Sequence, residues 1–209
     1  MSSKKLNNIL GIDTSHEETV IGLNGKIMAW RSVRNQSKEL LPKIDKLLQA
    51  QKIKPAKLKG VVVNTGPGSF TGLRVGVTVA NGFGYGLKVP VAGISELDII
   101  KMLYPKVDVI VLDAKRGELF VQAGKTAPKL ISVSKLGGLI KTGTRVYLDD
   151  YRLVPIVHEQ LKKTGTIYIS NLARSQKMTA MLTAKLPKKF AQVLPVYLRG
   201  ANITKSKKK

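Results

Sequence analysis

The residues able to do chemistry fall in two short stretches. The first is Asp13-Thr14-Ser15-His16, which follows the apolar run Ile9–Ile12. Asp13 is placed either to coordinate a magnesium ion through water or to be an ordinary strand-end carboxylate. The second is Asn64-Thr-Gly-Pro-Gly-Ser-Phe-Thr-Gly-Leu-Arg-Val-Gly76, which follows the run Lys59-Gly-Val-Val-Val63. Backbone N–H groups at a strand-to-helix turn point outward and can hold an anion. Neither familiar phosphate loop fits. Counted from Gly66, both a Walker A loop and a dinucleotide fingerprint require glycine at position 71, which is Thr71, and no lysine follows it. Ser69, Thr71 and Arg74 therefore have two readings: contacts to a nucleotide phosphate, or cap, turn and surface charge.

Other chemistries are excluded by composition. The chain has no cysteine, which removes disulfides, Cys-bound zinc, iron–sulfur clusters and thiol catalysis. The two histidines, His16 and His158, are too far apart for a local His-x-x-x-His metal pair. His16 reads as a turn residue, since nothing in the sequence marks a partner for it as a base. Asp113 and Glu118 flank Lys115-Arg116-Gly117 and read as turn-flanking structural or partner-facing residues rather than an acid–base pair.

The elements that position these residues follow from pattern. Asn8–Asp13, Thr19–Leu23 and Lys26–Arg31 read as strands, with Asn24-Gly25 as a tight hairpin turn. Leu40, Leu41, Ile44, Leu47 and Leu48 recur at helical spacing, so Ser37–Gln51 is expected to be a helix capped by Ser37. Lys59–Asn64 is a buried parallel strand, Phe70–Leu87 a helix, Val89–Gly93 a strand, and Ser95 caps a helix to Leu103. That is a βββαβα unit, the shape of a ribonuclease-H-like half. From Pro105 onward a second hairpin (Val107–Asp113 and Glu118–Ala123) is followed by strands at 129–133, 144–148 and 166–170. Helices are expected near 156–163 and 172–186. The domain reading is a first lobe over 1–104, a second over 105–203 and a disordered basic tail over 204–209.

Charge is the other strong signal. The 209 residues include 36 Lys plus Arg against 13 Asp plus Glu, a net charge of +23. Residues 1–104 carry +8 and residues 105–209 carry +15, with no acid after Glu159. Such a field attracts polyanions such as tRNA, although a lysine-rich proteome gives the same balance. Aromatics at 5% argue against a base-stacking nucleic-acid platform. The hydrophobic content of 43% fits a globular protein. The polar Met1–Asn8 segment has no signal-peptide core, and the longest uncharged run is too short to span a bilayer. A soluble cytoplasmic protein without a membrane partner is expected.

Gly68, Gly72, Gly76, Ala80 and Gly84 lie four residues apart on the second helix. Glycine costs up to about 1 kcal/mol per helical position relative to alanine, so the strip needs a packing reason. An external helix at close range and this protein's own sheet or first helix are equally good reasons.

Gly66-Pro-Gly-Ser-Phe-Thr-Gly-Leu-Arg-Val-Gly76 resembles the hallmark of the TsaB (YeaZ) family. Ile9-Leu-Gly-Ile-Asp-Thr-Ser15, Leu40-Leu-Pro42, Leu112-Asp-Ala-Lys-Arg-Gly-Glu118 and Pro195-Val-Tyr-Leu-Arg199 resemble further family segments in the same order. The resemblance implies a two-lobed actin-like (ASKHA) α/β fold, with two ribonuclease-H-like halves of mixed sheets flanked by helices. It implies a non-catalytic scaffold that binds TsaD, the transferase that forms N6-threonylcarbamoyladenosine at position 37 of tRNA. A TsaE-like ATPase would join, tRNA would bind through the complex, and the free protein could be a homodimer. The chain would have no cofactor of its own, with ATP or ADP and magnesium at the partner complex. TsaD-type metal binding uses a His-x-x-x-His pair, which is missing here.

The implied partner interface is Leu40, Leu41, Ile44 and Leu48 on the first helix. On the second it is Gly68, Phe70, Gly72, Leu73, Gly76, Ala80 and Gly84. Gly76→Leu and Ala80→Arg are then expected to block pairing without unfolding. Nucleotide, if bound, would meet Asp13, Thr14, Ser69, Thr71 and Arg74. The alternatives are an autonomous ASKHA phosphotransferase or ATPase, and a basic tRNA-binding module. A peptidase, an older label in the family, lacks a nucleophile–base pair here.

Overall fold

The computed structural model describes residues 8–33, 35–148, 167–170 and 173–197. The chain opens with β1 (Ile9–Asp13), β2 (Glu18–Leu23) and β3 (Lys26–Arg31), an antiparallel meander. Asn24 and Gly25 both have positive φ (50° and 84°), which is what a two-residue hairpin of this twist needs. Helix α1 (Gln36–Ala50) leads through a short 3₁₀ turn to β4 (Gly60–Gly66), which pairs parallel to β1. Helix α2 (Phe70–Leu87) leads to β5 (Val91–Ser95), parallel to β4. Helix α3 (Glu96–Leu103) follows at once, capped by Ser95, whose Oγ accepts from the Asp98 N–H at 3.0 Å. The first helix begins at Gln36 with Asn35 as the cap residue and no side-chain cap bond, so the expected Ser37 cap is not used.

The second half repeats the plan. It contains β6 (Val109–Asp113), β7 (Glu118–Ala123), β8 (Lys129–Ser132), β9 (Arg145–Leu148) and β10 (Ile167–Ser170). The first sheet has order β3-β2-β1-β4-β5 and the second β10-β9-β6-β7-β8, which is the same order read from the other edge. Each half is thus an antiparallel hairpin pair extended by two parallel strands. The β8–β9 crossover uses a 3₁₀ helix, Val133–Leu139, in place of an α-helix. Helix α4 (Arg174–Met181) is shorter than the expected 172–186. The helix expected at 156–163 and the tail at 204–209 lie outside the described residues.

Burial explains the β-branched runs. Every residue of β4 is buried, because helices cover both faces of the first sheet. On one face, Leu10, Ile12, Leu23, Val61 and Val63 pack with Leu40, Ile44 and Leu47 of α1 and Val77 and Ala80 of α2. On the other, Val20 and Val62 pack with Ile99 of α3 and with Met178 and Met181 of α4. Each such side chain contributes roughly 1.5–3 kcal/mol on burial. Helix α3 also turns Leu97 and Ile100 toward Ile110, Leu112 and Tyr147 of the second sheet. It is the wedge shared by the two lobes.

Segment 173–197, although late in the chain, packs on the first sheet. Met178 fills the space left by the missing side chains of Gly11 and Gly22, and Leu186 does the same over Gly60. Val193 exchanges two hydrogen bonds with the Asn81 side chain (2.8 and 3.0 Å), and the Val196 N–H donates to the Thr65 carbonyl at 2.8 Å. Among the described residues, no helix is long and apolar enough to cross a membrane.

Candidate functional site

The β1–β2 loop and the start of α2 form one closed unit. Asp13 Oδ1 accepts from the Ser15 N–H (3.0 Å) and from Ser15 Oγ (2.6 Å), an Asx turn with all of its polar atoms buried. Thr14 Oγ1 donates to the Gly72 carbonyl at 2.7 Å. The Ser69 N–H donates to the Ser15 carbonyl at 2.7 Å. Ser69 caps α2, its Oγ accepting from the Gly72 N–H at 3.3 Å. The glycines at this junction allow the approach. A Cβ on Gly72 would overlap the Thr14 carbonyl oxygen, and one on Gly68 would overlap the Ser15 carbonyl.

These contacts split the five residues grouped as nucleotide contacts. Asp13 and Thr14 are buried and engaged in internal bonds, whereas Ser69, Thr71 and Arg74 are on the surface. The physical reason is that the β1–β2 loop, with no glycine of its own, lies against the helix start and uses a backbone donor that a phosphate would need. Arg74 lies over the Phe70 ring (5.3 Å), which in turn meets Tyr197 at 4.7 Å between centroids.

Helix α2 has two faces of opposite character. The strip Gly72, Gly76, Ala80 and Gly84 points inward, correcting its expected place at a partner interface. A Cβ on Gly76 would overlap Thr14 Oγ1, Ala80 is fully buried, and a Cβ on Gly84 would overlap Val91 and Phe190. Leu73 is buried beside them. On α1, Leu40, Ile44 and Leu48 likewise belong to the chain's own core, and of the four only Leu41 is exposed, at 52%. Gly68 and Phe70 are exposed at the helix entrance. Gly76→Leu and Ala80→Arg would therefore disrupt the core rather than report on pairing.

The outward face is Thr71, Thr78, Gly82 and Gly86, at spacings of seven, four and four, with Val75 at its border, partly buried against the core. Among the described residues, a Cβ on Gly82 or Gly86 would meet nothing within 4 Å. Both have ordinary helical backbone, so neither a turn nor internal crowding accounts for glycine there. The signal that separates the faces was in the sequence. Leu73 and Val77 share the inner face with Ala80 and Gly84, while the threonines Thr71 and Thr78 mark the outer one.

Between the lobes sits a buried polar cluster that sequence reading did not assemble. Glu96, fully buried at the start of α3, accepts from Asn64 Nδ2 at 2.6 Å and is ion-paired to Lys177 of α4, itself 2% exposed. Asn64 also donates to Ser15 Oγ at 3.2 Å. His16 Nε2 lies 3.6 Å from Glu96, and the Lys177 ammonium sits over the Tyr147 ring at 6.0 Å. The pair spans 81 positions in sequence, so no local pattern could have linked it. It braces α4 on the first lobe; removing one partner of such a pair typically costs about 3–5 kcal/mol. Among the described residues, no three His, Cys, Asp or Glu side chains gather as metal ligands.

The turn expected after β6 is tight. Lys115, Arg116 and Gly117 all have positive φ (62°, 59° and 74°). The turn is held by Asp113, which accepts from the Lys115 N–H at 2.7 Å and from its ammonium at 2.5 Å.

Two sheets of identical strand order around a shared helix define a duplicated ribonuclease-H-like protein of the two-lobed, actin-like (ASKHA) class. The fold matches YeaZ from Pseudomonas aeruginosa with a TM-score of 0.67 at 18% identity, over 91% of this chain and 99% of that one. The family model for TsaD, tRNA N6-adenosine threonylcarbamoyltransferase, matches residues 23–132, just over half of the chain. The tRNA threonylcarbamoyladenosine biosynthesis protein TsaB of Buchnera aphidicola is 30% identical over 152 residues, 64% of this chain and 72% of that protein. The protein of the same name from Bacillus subtilis is 32% identical over 117 residues, 54% of this chain and 49% of its own length. The chain belongs to the TsaB family.

Proposed function

We propose that this chain is a non-catalytic scaffold in tRNA threonylcarbamoyladenosine biosynthesis, and that it docks a TsaD-like transferase on the outward face of α2. The carrying observation is the pair Gly82 and Gly86, two helical glycines with open space where a side chain would be. Each costs up to about 1 kcal/mol relative to alanine, and among the described residues no contact repays it. A partner helix at close range does, since bare backbone admits the nearest approach. Leu41 on α1 and Phe70 at the start of α2 are further exposed apolar side chains of these two helices.

Membership of the family supports the pathway, and the internal bonding of Asp13 and Thr14 supports a role without phosphotransfer of its own. In this reading ATP or ADP with magnesium belongs to the assembled complex, which a TsaE-like ATPase joins. Without a transferase partner the same face would pair about a two-fold axis to give a homodimer.

Reconstitution tests the reading. With the TsaD-like paralogue of the same genome, unmodified tRNA and the threonylcarbamoyl donor system, adding this chain should raise modified adenosine at least ~10-fold, worth about 1.4 kcal/mol of assistance. Equal product with and without the chain would contradict it.

A further inference from the structure

A groove of about 650 Å³ opens at the far end of α2, within the ~300–1,000 Å³ typical of ligand clefts. Its walls are Tyr85, Lys88, Pro90, Lys188, Lys189 and Phe190, with Gly84 and Gly86 between them, so it meets the outward face of α2 at Gly86. Three lysines from two separate chain segments thus line one concavity, and among the described residues no acidic residue lines it. Among the described residues Tyr85 is the most exposed of the large apolar and aromatic side chains at 79%, and Phe190 meets it edge-on at 6.5 Å. Phe190 reaches this position because Gly84 has no side chain to exclude it. The positive field continues past the groove. Leu186 packs on Gly60, and Lys185 and Lys59 each lie one residue from that contact.

Exposed rings flanked by lysines are the chemistry that binds a single nucleic-acid strand, with ammonium groups on phosphates and a base against an aromatic face. We propose that this groove is an RNA-backbone contact, taking a tRNA strand on Lys88, Lys188 and Lys189 with one base against Tyr85. The proposal rests on the scaffold reading for its choice of RNA. It adds that the scaffold itself touches the tRNA, at the end of the same helix whose outer face docks the transferase. It also gives part of the +23 net charge a specific address.

Lys88 makes the test clean. It caps α2 in the left-handed conformation (φ 56°, ψ 38°), its N–H donating to the Gly84 carbonyl, where glycine is the usual residue. Lys88→Gly therefore removes the charge while leaving the fold as stable or more so. The experiment is a fluorescence-anisotropy titration of an unmodified tRNA transcript with the full chain over a range of salt concentrations. The groove variant Lys88→Gly/Lys188→Gln/Lys189→Gln is compared with Lys125→Gln/Lys129→Gln/Lys141→Gln, which loses the same charge from the second lobe. Pairing with the transferase is followed on the same samples by light scattering.

Each lost phosphate contact lowers the salt slope by roughly 0.7–0.9, so the groove variant should lose roughly 2–3 units of slope and on the order of 100-fold affinity at 0.1 M salt. The distant variant should lose less than about 5-fold, and Tyr85→Ala about 10-fold where Tyr85→Phe keeps binding. Pairing should persist throughout. Equal losses in the two triple variants would overturn the site, because affinity would then follow net charge alone. Wild-type chain that pairs but binds no tRNA overturns this inference and leaves the scaffold. Binding in the groove without pairing overturns the scaffold and leaves this inference. Loss of pairing in the groove variant would make the groove part of the protein interface and overturn the RNA assignment.

Discussion

The inner and outer faces of α2 carry the same residue type for opposite reasons. On the inner face, Gly72 and Gly76 are required by atoms already there, the carbonyl and hydroxyl of Thr14. On the outer face, a Cβ on Gly82 or Gly86 would meet no atom of the described residues within 4 Å. The first pair is explained by folding, the second only by something that arrives later. Glycine spacing alone cannot separate the two, because both sets recur at helical intervals on one helix.

The largest effect should come from filling the inner face. Gly72→Ala forces a methyl against the Thr14 backbone, which cannot swing away as a side chain end can. The expected loss is about 3 kcal/mol, the upper end of overpacking costs, with a correspondingly lower melting temperature by calorimetry. An unchanged melt would mean that the β1–β2 loop yields freely and that the inner glycines are not needed for packing.

Filling the outer face should have the opposite sign. Gly82→Ala adds a methyl to open space in a helix interior and should stabilise the free chain by up to about 1 kcal/mol. The same methyl should weaken pairing with the transferase. A variant that is both more stable and better at pairing would remove the reason given for glycine at 82.

The smallest effect concerns how α1 is held beside this face. Glu39 accepts hydrogen bonds from Ser32 Oγ (2.5 Å) and Trp30 Nε1 (3.0 Å). The Ser32 bond first, then the Trp30 bond, holds its carboxyl below the ordinary glutamate range. A lowered folded pKa contributes stability above the unfolded value, and that contribution is lost as pH falls through the lowered one. Glu39→Gln should therefore lower stability in the neutral region, leave the acid end nearly unchanged, and so flatten the acid limb of the stability curve. Trp30 is the sole tryptophan, so its fluorescence reports the transition directly. An acid limb identical to wild type would show that these bonds do not anchor α1.

Much of the fold was legible in the sequence. Periodicity and turn chemistry placed α2 at Phe70–Leu87, the Asn24-Gly25 hairpin and the Ser95 cap where the structure has them. Local signals of this kind act over a few residues. The return of segment 173–197 to the first sheet was not legible, because Met178 over Gly11 and Gly22 is a contact between distant segments. The candidate site fared less well for the same reason. Leu40, Ile44 and Leu48 have the spacing of a buried stripe, and a buried stripe is what they form; only a third dimension shows which layer covers it. Asp13 and Thr14 have residue types suited to phosphate, yet both are bonded within the β1–β2 loop or to α2. The pair Glu96–Lys177 had no sequence signature at all.

The most direct measurement is light scattering on a sizing column with Gly82→Arg, alone and mixed with the TsaD-like paralogue. An arginine there meets no atom of the described residues within 4 Å of its Cβ, so the variant should melt like wild type. The account predicts that wild type elutes with the paralogue as a one-to-one complex and that Gly82→Arg elutes apart from it. A Gly82→Arg chain that still forms the complex at wild-type affinity would contradict the assignment of the outer face of α2 as the docking surface.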